Sequence, residues 1–386
     1  MSTSRTNQGL LDILYTLLPN ERQTLFLRAC LWSGESVHQA WINWCQSVSD
    51  TREMLRQREF GFKGLTPLLF HNLRQNQVVL EPSLLTFFRT AQMYEEKRTR
   101  VFREISQKVL TALSQAQKRF LVVKGAALAD TTFSQPWLRH CHDLDIVLDD
   151  PTPHDTVEIL RALDFTLSSR MIPCEWQRLI LTHRDGLPVS LHRDFFGISL
   201  FNLGQPNMWT RSKDTWVADA PCRVLSPADA LLHVCGQAFV SGHSSRPTWA
   251  SDSWAIILRH QDLNWDHLIA GARHSHLALP LFLMLGYLAE KLQAPIPEQV
   301  LLDLDVVSSE SLIGQEIALS LARKYQDGGL SAILRQTQDW QSRAPLFKWM
   351  LFPSLDYLRW TNPQTEPWLL PFLYITRPVK YLSRRF

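Results

Sequence analysis

The residues best suited to chemistry are two aspartates separated by one leucine, Asp143-Leu144-Asp145. They open the alternating segment HDLDIVLDD, whose pattern is typical of a β-strand. Because successive strand side chains point to opposite faces, the two carboxylates share one face, about 6.6 to 7 Å apart along the backbone. Two such charges repel unless a cation lies between them. Carboxylates on a rigid strand suit Mg²⁺ (or Mn²⁺), which takes its remaining ligands from water and substrate phosphates.

A second group of candidate residues precedes this pair. The run RFLVVKG predicts a short apolar strand that ends at Lys124 and Gly125, and AALADTTF predicts the start of a helix. Free backbone N–H groups and the dipole at a helix start favour a phosphate, and Lys124 adds a positive charge. Lys124, Gly125 and Ala126 are therefore predicted to bind phosphate. The alternatives are an acidic pair at a solvated strand edge and an ordinary exposed lysine at a turn.

Hydrophobic periodicity indicates which elements position these residues. Helical spacing runs from about Leu10 to Lys118, short strands with a helix between them follow, and helical spacing returns from Ser226. The predicted fold class is α+β, a small mixed sheet flanked by helical regions. The predicted regions are an N-terminal helical region (1–115), an α/β core (116–222), a C-terminal helical domain (223–341) and an aromatic and basic tail (342–386).

A hairpin is predicted at the far side of the core. Two short strands, Leu179 to Arg184 and Leu187 to His192, are separated by Asp185-Gly186, a strong two-residue turn. Along the second strand Ser190 and His192 share a face. Asp194 has the same parity if the strand extends or bulges.

Composition excludes several classes of protein. Of 386 residues 45% are hydrophobic and 20% charged, which argues against disorder, collagen and coiled coils. The net charge of +3 does not indicate an obligate nucleic-acid binder. The N-terminal segment does not resemble a signal peptide, and the longest apolar run, Leu277 to Ala289, is shorter than the ~18 residues of a membrane span. Six cysteines without a CxxC pair fit reduced thiols, so we expect a cytoplasmic protein without a transmembrane segment.

The tail combines aromatic and basic residues. Its last ten residues include Arg377, Lys380, Arg384 and Arg385. Basic residues beside aromatics can seat a segment at a membrane interface, so peripheral membrane contact is one interpretation. The other is that the aromatics pack on the body and leave the charges in solvent.

Several segments, taken in order, resemble the uncharacterised bacterial nucleotidyltransferases of the polymerase-beta-type superfamily. From about residue 60 to residue 300 they are VVKGAALADTTF, LRHCHDLDIVL, ALDF, VSLHRDF, LSPADALLHVC, Trp249 to Asp252, and APIPEQVL. The resemblance implies a minimal nucleotidyltransferase core at 116–222. It also implies metal-dependent transfer of a nucleoside monophosphate from an NTP to an acceptor, with release of pyrophosphate.

The resemblance implies roles for individual residues. Asp143 and Asp145 match the metal-binding pair, and Gly125 matches the glycine of the phosphate-binding turn. Arg139 matches an arginine before the pair, which pins a phosphate or orders the loop, unless it forms an ordinary surface ion pair. His192 matches a histidine that follows the third strand, for which a structural role is the alternative. The resemblance leaves open an RNA end, a protein or peptide side chain, a sugar or another small molecule as acceptor.

One position departs from the family pattern. The family has a third carboxylate two residues before this histidine, where this chain has Ser190, whose hydroxyl is a poor replacement for a metal ligand. Asp194 and His192 are then the candidates for the general base, and a base that acts through a water molecule is the alternative. The alternative function is a degenerate nucleotidyltransferase-fold protein that binds nucleotide or a partner without turnover. Trp249 and Asp252 are expected to close the site from the helical domain, or to act as a packed aromatic and a helix cap.

Overall fold

The computed structural model describes residues 5–57, 61–150, 153–167, 178–196 and 206–325, and within 351–374 all residues except 356, 359–361, 363 and 364. Much of the predicted tail, including its four basic residues near the C-terminus, lies outside the described residues. Cys174 also lies outside them, and the other five cysteines are free thiols.

A mixed sheet forms the centre of the fold. Within the described ranges it has seven strands in the order β3-β4-β5-β2-β1-β7-β6. The strands are β1 (Phe120–Val123), β2 (Leu144–Leu148), β3 (Phe165–Leu167), β4 (Arg178–His183), β5 (Pro188–His192), β6 (Lys213–Val217) and β7 (Ala220–Val224). The central strand β2 runs antiparallel to β1 and parallel to β5. With helices on both sides in sequence, this sheet confirms the predicted α+β class.

The helices precede, interrupt and follow the sheet. They are α1 (Arg5–Tyr15), α2 (Glu21–Leu31), α3 (Glu35–Gln46), α4 (Thr51–Arg56), α5 (Thr66–Gln75), α6 (Pro82–Gln115), α7 (Lys124–Thr131), α8 (His154–Arg161), α9 (Pro206–Arg211), α10 (Pro227–Val240), α11 (Thr248–Arg259), α12 (Trp265–His274), α13 (Ala278–Leu292), α14 (Glu298–Glu310) and α15 (Leu312–Tyr325). The longest of these described helices, α6, starts with proline at its first turn, where the missing N–H costs no hydrogen bond. None of the described helices is long and apolar enough to cross a membrane.

The two faces of the sheet pack against different cores. Phe120 and Val122 of β1 and the alternate residues of β2 pack with the second half of α6 and with α8. Leu121 and Val123 of β1 face the other way, into a core built from N-terminal and C-terminal helices together. The two helical regions therefore share one core beside the sheet. The division into four regions stays a prediction.

The hairpin at Asp185-Gly186 is confirmed. Strands β4 and β5 pair antiparallel, and Gly186 at the turn has a φ of 86°, which suits glycine. A second hairpin, β6–β7, was not predicted. Its turn is made by Ala218 and Asp219, both with positive φ, and it lacks the glycine that usually marks such turns. Strand β7 then pairs with β1, so this hairpin completes the far side of the sheet.

One buried histidine gives the fold a pH dependence. His233 in α10 is 1% exposed, and its Nε2 lies 2.7 Å from the carbonyl oxygen of Phe195. Burial, reinforced by the charge of Lys124, lowers the pKa of His233 to about 3. As pH falls from about 6.5, the unfolded chain binds a proton that the folded chain excludes until about pH 3. The free energy of unfolding should therefore fall by up to about 1.4 kcal/mol per pH unit in this window.

We expect His233→Gln to flatten that dependence, because glutamine does not titrate. Urea unfolding of both proteins at several pH values between 7 and 4 measures the two slopes. Equal slopes would contradict a neutral, buried His233.

Candidate functional site

The aspartate pair lies at the start of the central strand. Asp145 belongs to β2, next to Val123 of β1 on one side and Ser190 of β5 on the other, and Asp143 immediately precedes the strand. Leu144, Ile146 and Leu148 point to the opposite face, into the core shared with α6. The alternation read from the sequence therefore brings both carboxylates to the face that carries Ser190 and His192.

Asp145 is the more buried of the two carboxylates, with a side chain only 5% exposed. One of its oxygens, Oδ1, accepts hydrogen bonds from Lys124 Nζ at 2.8 Å and from His192 Nε2 at 2.7 Å. Burial raises the pKa of Asp145, but the His192 hydrogen bond and the charge of Lys124 outweigh burial, so this pKa lies well below its usual range. Burial lowers the pKa of His192, so its ring is neutral near neutral pH and donates through Nε2. Asp145 is therefore a fixed anion.

Asp143 is held by a different pair of residues. Ser190 Oγ donates to Asp143 Oδ2 at 3.0 Å, and Arg178 Nη2 donates to Ser190 Oγ at 3.0 Å. The same guanidinium nitrogen lies 3.7 Å from Asp143 Oδ2. Burial and the negative charge of Asp145 raise the pKa of Asp143. Ser190, 0% exposed, thus orients the Asp143 carboxylate.

Each aspartate is held through one oxygen. Within the described part of the chain, no hydrogen-bond donor reaches Asp143 Oδ1 or Asp145 Oδ2. Two anionic oxygens on one face of a strand are therefore left for another cation or donor. Residues 143 and 145 together can attract a hard cation, with the strand fixing their separation.

The predicted phosphate turn lies where β1 passes into α7. Lys124 is the first residue of this helix, and no side chain caps it. Uncapped N–H groups at a helix start are anion donors, and those of Gly125 and Ala126 belong to this first turn. Gly125 also has a packing role, since a Cβ there would lie 3.1 Å from Cys141 Sγ. Phosphate binding at Lys124, Gly125 and Ala126 stays a prediction.

Arg139 forms a buried ion pair rather than a surface one. Its Nε and Nη2 donate to the two carboxylate oxygens of Asp252 at 2.6 and 2.9 Å, and its side chain is 14% exposed. Burial lowers the pKa of Arg139, but the charge of Asp252 outweighs burial and raises it. Asp252 lies inside α11, so it is not a helix cap. The pair joins the loop before Asp143 to the C-terminal helices, which supports the loop-ordering role of Arg139.

Two residues of α6 also hold this loop, and the sequence did not reveal them. Glu95 Oε1 lies 2.8 Å from His140 Nδ1, and Arg98 donates to the carbonyl oxygen of Cys141. Glu95 and Arg98 also pair with each other at 3.1 Å. In sequence, an i,i+3 pair within the charged run EEKRTR is typical of a solvated helix face. Only the packing of α6 against the loop distinguishes the Glu95–Arg98 pair from an exposed one.

The remaining candidate residues, His192, Asp194 and Trp249, differ in their contacts with the aspartate pair. His192 contacts Asp145, whereas Asp194 lies two residues beyond the end of β5. Burial raises the pKa of Asp194. Trp249 is buried and donates through Nε1 to the carbonyl oxygen of Ser244, so it is a packed aromatic.

A comparison with protein families matches more than half of the chain. Over residues 54–293, which include the aspartate pair, Lys124, Ser190 and Asp252, the sequence matches the family described as "Uncharacterised nucleotidyltransferase". A comparison with curated proteins found no match.

Proposed function

Because the chain belongs to the uncharacterised nucleotidyltransferase family, we propose that it transfers a nucleoside monophosphate from an NTP to an acceptor in a metal-dependent reaction. The observation that carries this proposal is the pair Asp143 and Asp145 beside the start of α7. Each aspartate is held through one carboxylate oxygen, and its second oxygen is left for a cation. A carboxylate pair next to an uncapped helix start suits a cation and a phosphate chain together.

The two aspartates fit Mg²⁺ or Mn²⁺ as ligands. Among the described residues no group of three or more His, Cys, Asp or Glu side chains could hold a metal ion. Mg²⁺ is usually bound through one or two carboxylates plus water and substrate phosphates, so a pair with two available oxygens is sufficient. The bound cation would neutralise negative charge on the triphosphate.

The protein's own residues bind and orient the triphosphate. The N–H groups at the start of α7 and the ammonium of Lys124 would contact its phosphates. His192 and Ser190 keep Asp145 and Asp143 in place through the hydrogen bonds described above. In the reaction, an acceptor hydroxyl forms a bond to the α-phosphorus, and the bond from this phosphorus to the β-phosphate oxygen breaks to release pyrophosphate.

The proton of that hydroxyl needs a base. His192 and Asp194 are the two candidates that the sequence predicts. Nε2 of His192 is engaged with Asp145, which favours a positioning role for the ring. Burial raises the pKa of Asp194, which makes it a better proton acceptor than an exposed aspartate, so both residues stay candidates for the base.

A second candidate function is nucleotide or partner binding without turnover. Ser190 favours it, because its hydroxyl donates to Asp143 where the family pattern supplies a carboxylate. Such a protein would bind NTP and release no pyrophosphate.

Ser190→Asp distinguishes the two candidates. We expect this variant to bind Mn²⁺ more tightly, because a third carboxylate would join Asp143 and Asp145, and to be less stable without metal because like charges are then buried together. If the native protein already catalyses nucleotidyl transfer, the variant should catalyse it at the same rate or faster. If the native protein only binds NTP, pyrophosphate release should appear in the variant. Ser190→Asn, similar in shape to aspartate but uncharged, is the matched control and should show neither effect.

The test of the proposed function is mass spectrometry of candidate acceptors after incubation with protein, Mg²⁺ and all four NTPs. Pools of RNA, proteins and peptides, sugars and other small molecules cover the acceptor classes. An added nucleoside monophosphate mass identifies both the base and the partner. Transfer should disappear in the Asp143→Ala, Asp145→Ala double variant, and normal labelling by that variant would contradict the site assignment. NTP binding without an added mass in any pool would favour the second function.

Cytoplasmic localisation and peripheral membrane contact through the tail stay predictions. Within the described part of the tail, Phe352, Trp368 and Phe372 are exposed, which suits an interfacial contact. Salt-dependent RNA binding would instead favour an RNA acceptor.

A further inference from the structure

Lys124 stands out because its side chain is directed at a carboxylate that the proposed cation needs. Its ammonium lies 2.8 Å from Asp145 Oδ1, and its side chain is 25% exposed, whereas that of Asp145 is 5% exposed. The ammonium therefore reaches a buried carboxylate while part of the lysine side chain stays in contact with solvent. Such a group can leave its partner without unpacking the core.

The other donors around the pair differ in charge or distance. His192 shares Oδ1 with Lys124 but is neutral, and Ser190 holds Asp143 with an uncharged hydroxyl. Arg178 donates to Ser190, and its nearest approach to Asp143 is 3.7 Å. Among the described residues, Lys124 is thus the cation in hydrogen-bond contact with either aspartate.

A divalent cation that approaches Asp145 would meet this positive charge. Neutral His192 and Ser190 can remain where they are, but the ammonium repels the incoming cation and already neutralises one of the two carboxylates. When the cation binds, the favourable arrangement is one in which the Lys124 ammonium leaves Asp145 and pairs with another anion. A triphosphate bound at the start of α7, the helix that Lys124 opens, provides that anion.

We propose that Lys124 is a tethered counter-ion, which neutralises Asp145 until a divalent cation and a triphosphate bind together, and then moves to the phosphates. The proposal rests on the proposed function and adds a rule to it: the cation alone binds weakly, and the triphosphate promotes its binding. Because coupling between two ligands is reciprocal, the cation promotes triphosphate binding equally.

The backbone at Lys124 supplies a pair of matched variants. Lys124 has a φ of 57°, a left-handed conformation that glycine adopts without strain and other residues rarely adopt. Lys124→Met removes the ammonium and keeps the strained backbone, whereas Lys124→Gly removes both. An effect of charge is common to the two variants, and an effect of backbone strain differs between them. Lys124→Arg keeps the charge.

The first measurement is the binding of Mn²⁺ alone. The electron paramagnetic resonance signal of free Mn²⁺ reports how much of the metal stays unbound. We expect Lys124→Met and Lys124→Gly to bind Mn²⁺ about tenfold or more tightly than the native protein, because a charge within about 4–6 Å shifts an ionic equilibrium by one to three powers of ten. Lys124→Arg should stay near the native affinity. Adding Asp145→Asn to Lys124→Met should remove the gain, which assigns it to this site.

The second measurement is binding of the preformed complex of Mn²⁺ with inorganic tripolyphosphate. Here Lys124→Met should bind more weakly than the native protein, because the phosphates lose their ammonium partner. A purely structural role for Lys124 would not change the two affinities in opposite directions.

The outcomes separate this inference from the proposed function. Suppose that Lys124→Met and Lys124→Gly bind Mn²⁺ no more tightly than the native protein, while nucleotidyl transfer still depends on Asp145. This result would overturn the counter-ion role alone. Absence of Mn²⁺ binding in the native protein and in both variants would overturn the counter-ion role and the metal site of the proposed function together.

Discussion

Replacing Asp145 with asparagine should reduce nucleotidyl transfer by about 10³-fold or more, since the lost charge stabilisation is worth several kcal/mol. Asparagine keeps the shape of the side chain but removes the anion that faces Lys124 and His192. The ammonium would then lie beside a largely buried neutral group. Initial rates with the acceptor identified by mass spectrometry measure the loss.

Asp143→Asn removes the other carboxylate of the pair, so it should also lower transfer, and it serves as the comparison for folding. Asp143 is 27% exposed and receives its hydrogen bond from the neutral Ser190, so its loss should disturb the fold less than the loss of Asp145. Circular dichroism and urea unfolding of both variants separate folding from function. If a folded Asp145→Asn variant kept the native rate, Asp145 would not belong to the reaction centre.

Among the substitutions considered, those that break the ion pair between Arg139 and Asp252 should lower the free energy of unfolding most. Removing one partner of a buried pair leaves an uncompensated charge and costs about 3–5 kcal/mol. Here the guanidinium donates two hydrogen bonds to one carboxylate, and both side chains are largely buried. We therefore expect Arg139→Met or Asp252→Asn to lower the free energy of unfolding by an amount in this range, measured by urea denaturation.

A double variant checks that the loss belongs to the pair. Once Arg139→Met has removed the guanidinium, Asp252→Asn removes the charge left behind, so the double variant should be more stable than the sum of the two single losses predicts. The expected difference is about 0.5–3 kcal/mol. Strict additivity would mean that the two residues do not stabilise each other. The Mn²⁺ affinity of a folded double variant would show how far this pair orders the loop before Asp143.

Much of the candidate site could be predicted because it depends on strand geometry. The period of two predicts that Asp143 and Asp145 share a face opposite Leu144, and the same rule puts Ser190 and His192 on one face. Asp185-Gly186 predicts the hairpin that ends in those residues. These inferences need only local backbone geometry and short-range hydrogen bonds.

Other parts could not be predicted, because their sequence patterns are ambiguous. The β6–β7 turn uses Ala218 and Asp219, which do not signal a hairpin. Glu95 and Arg98 have the spacing of an exposed helix pair although Glu95 is buried against the loop. Arg139 was compatible with a phosphate ligand, an ordered loop or a surface ion pair.

The sequence by itself determined the α+β class and the face on which the two carboxylates lie, because both follow from periodicity along short stretches of chain. Only the tertiary structure decided which donor holds which oxygen. Arg139 and Asp252 are separated by 113 positions, and Lys124 and Asp145 by 21, so their pairing depends on how helices pack against the sheet. Packing also excludes water, which strengthens these charge contacts and separates the pKa values of two neighbouring aspartates.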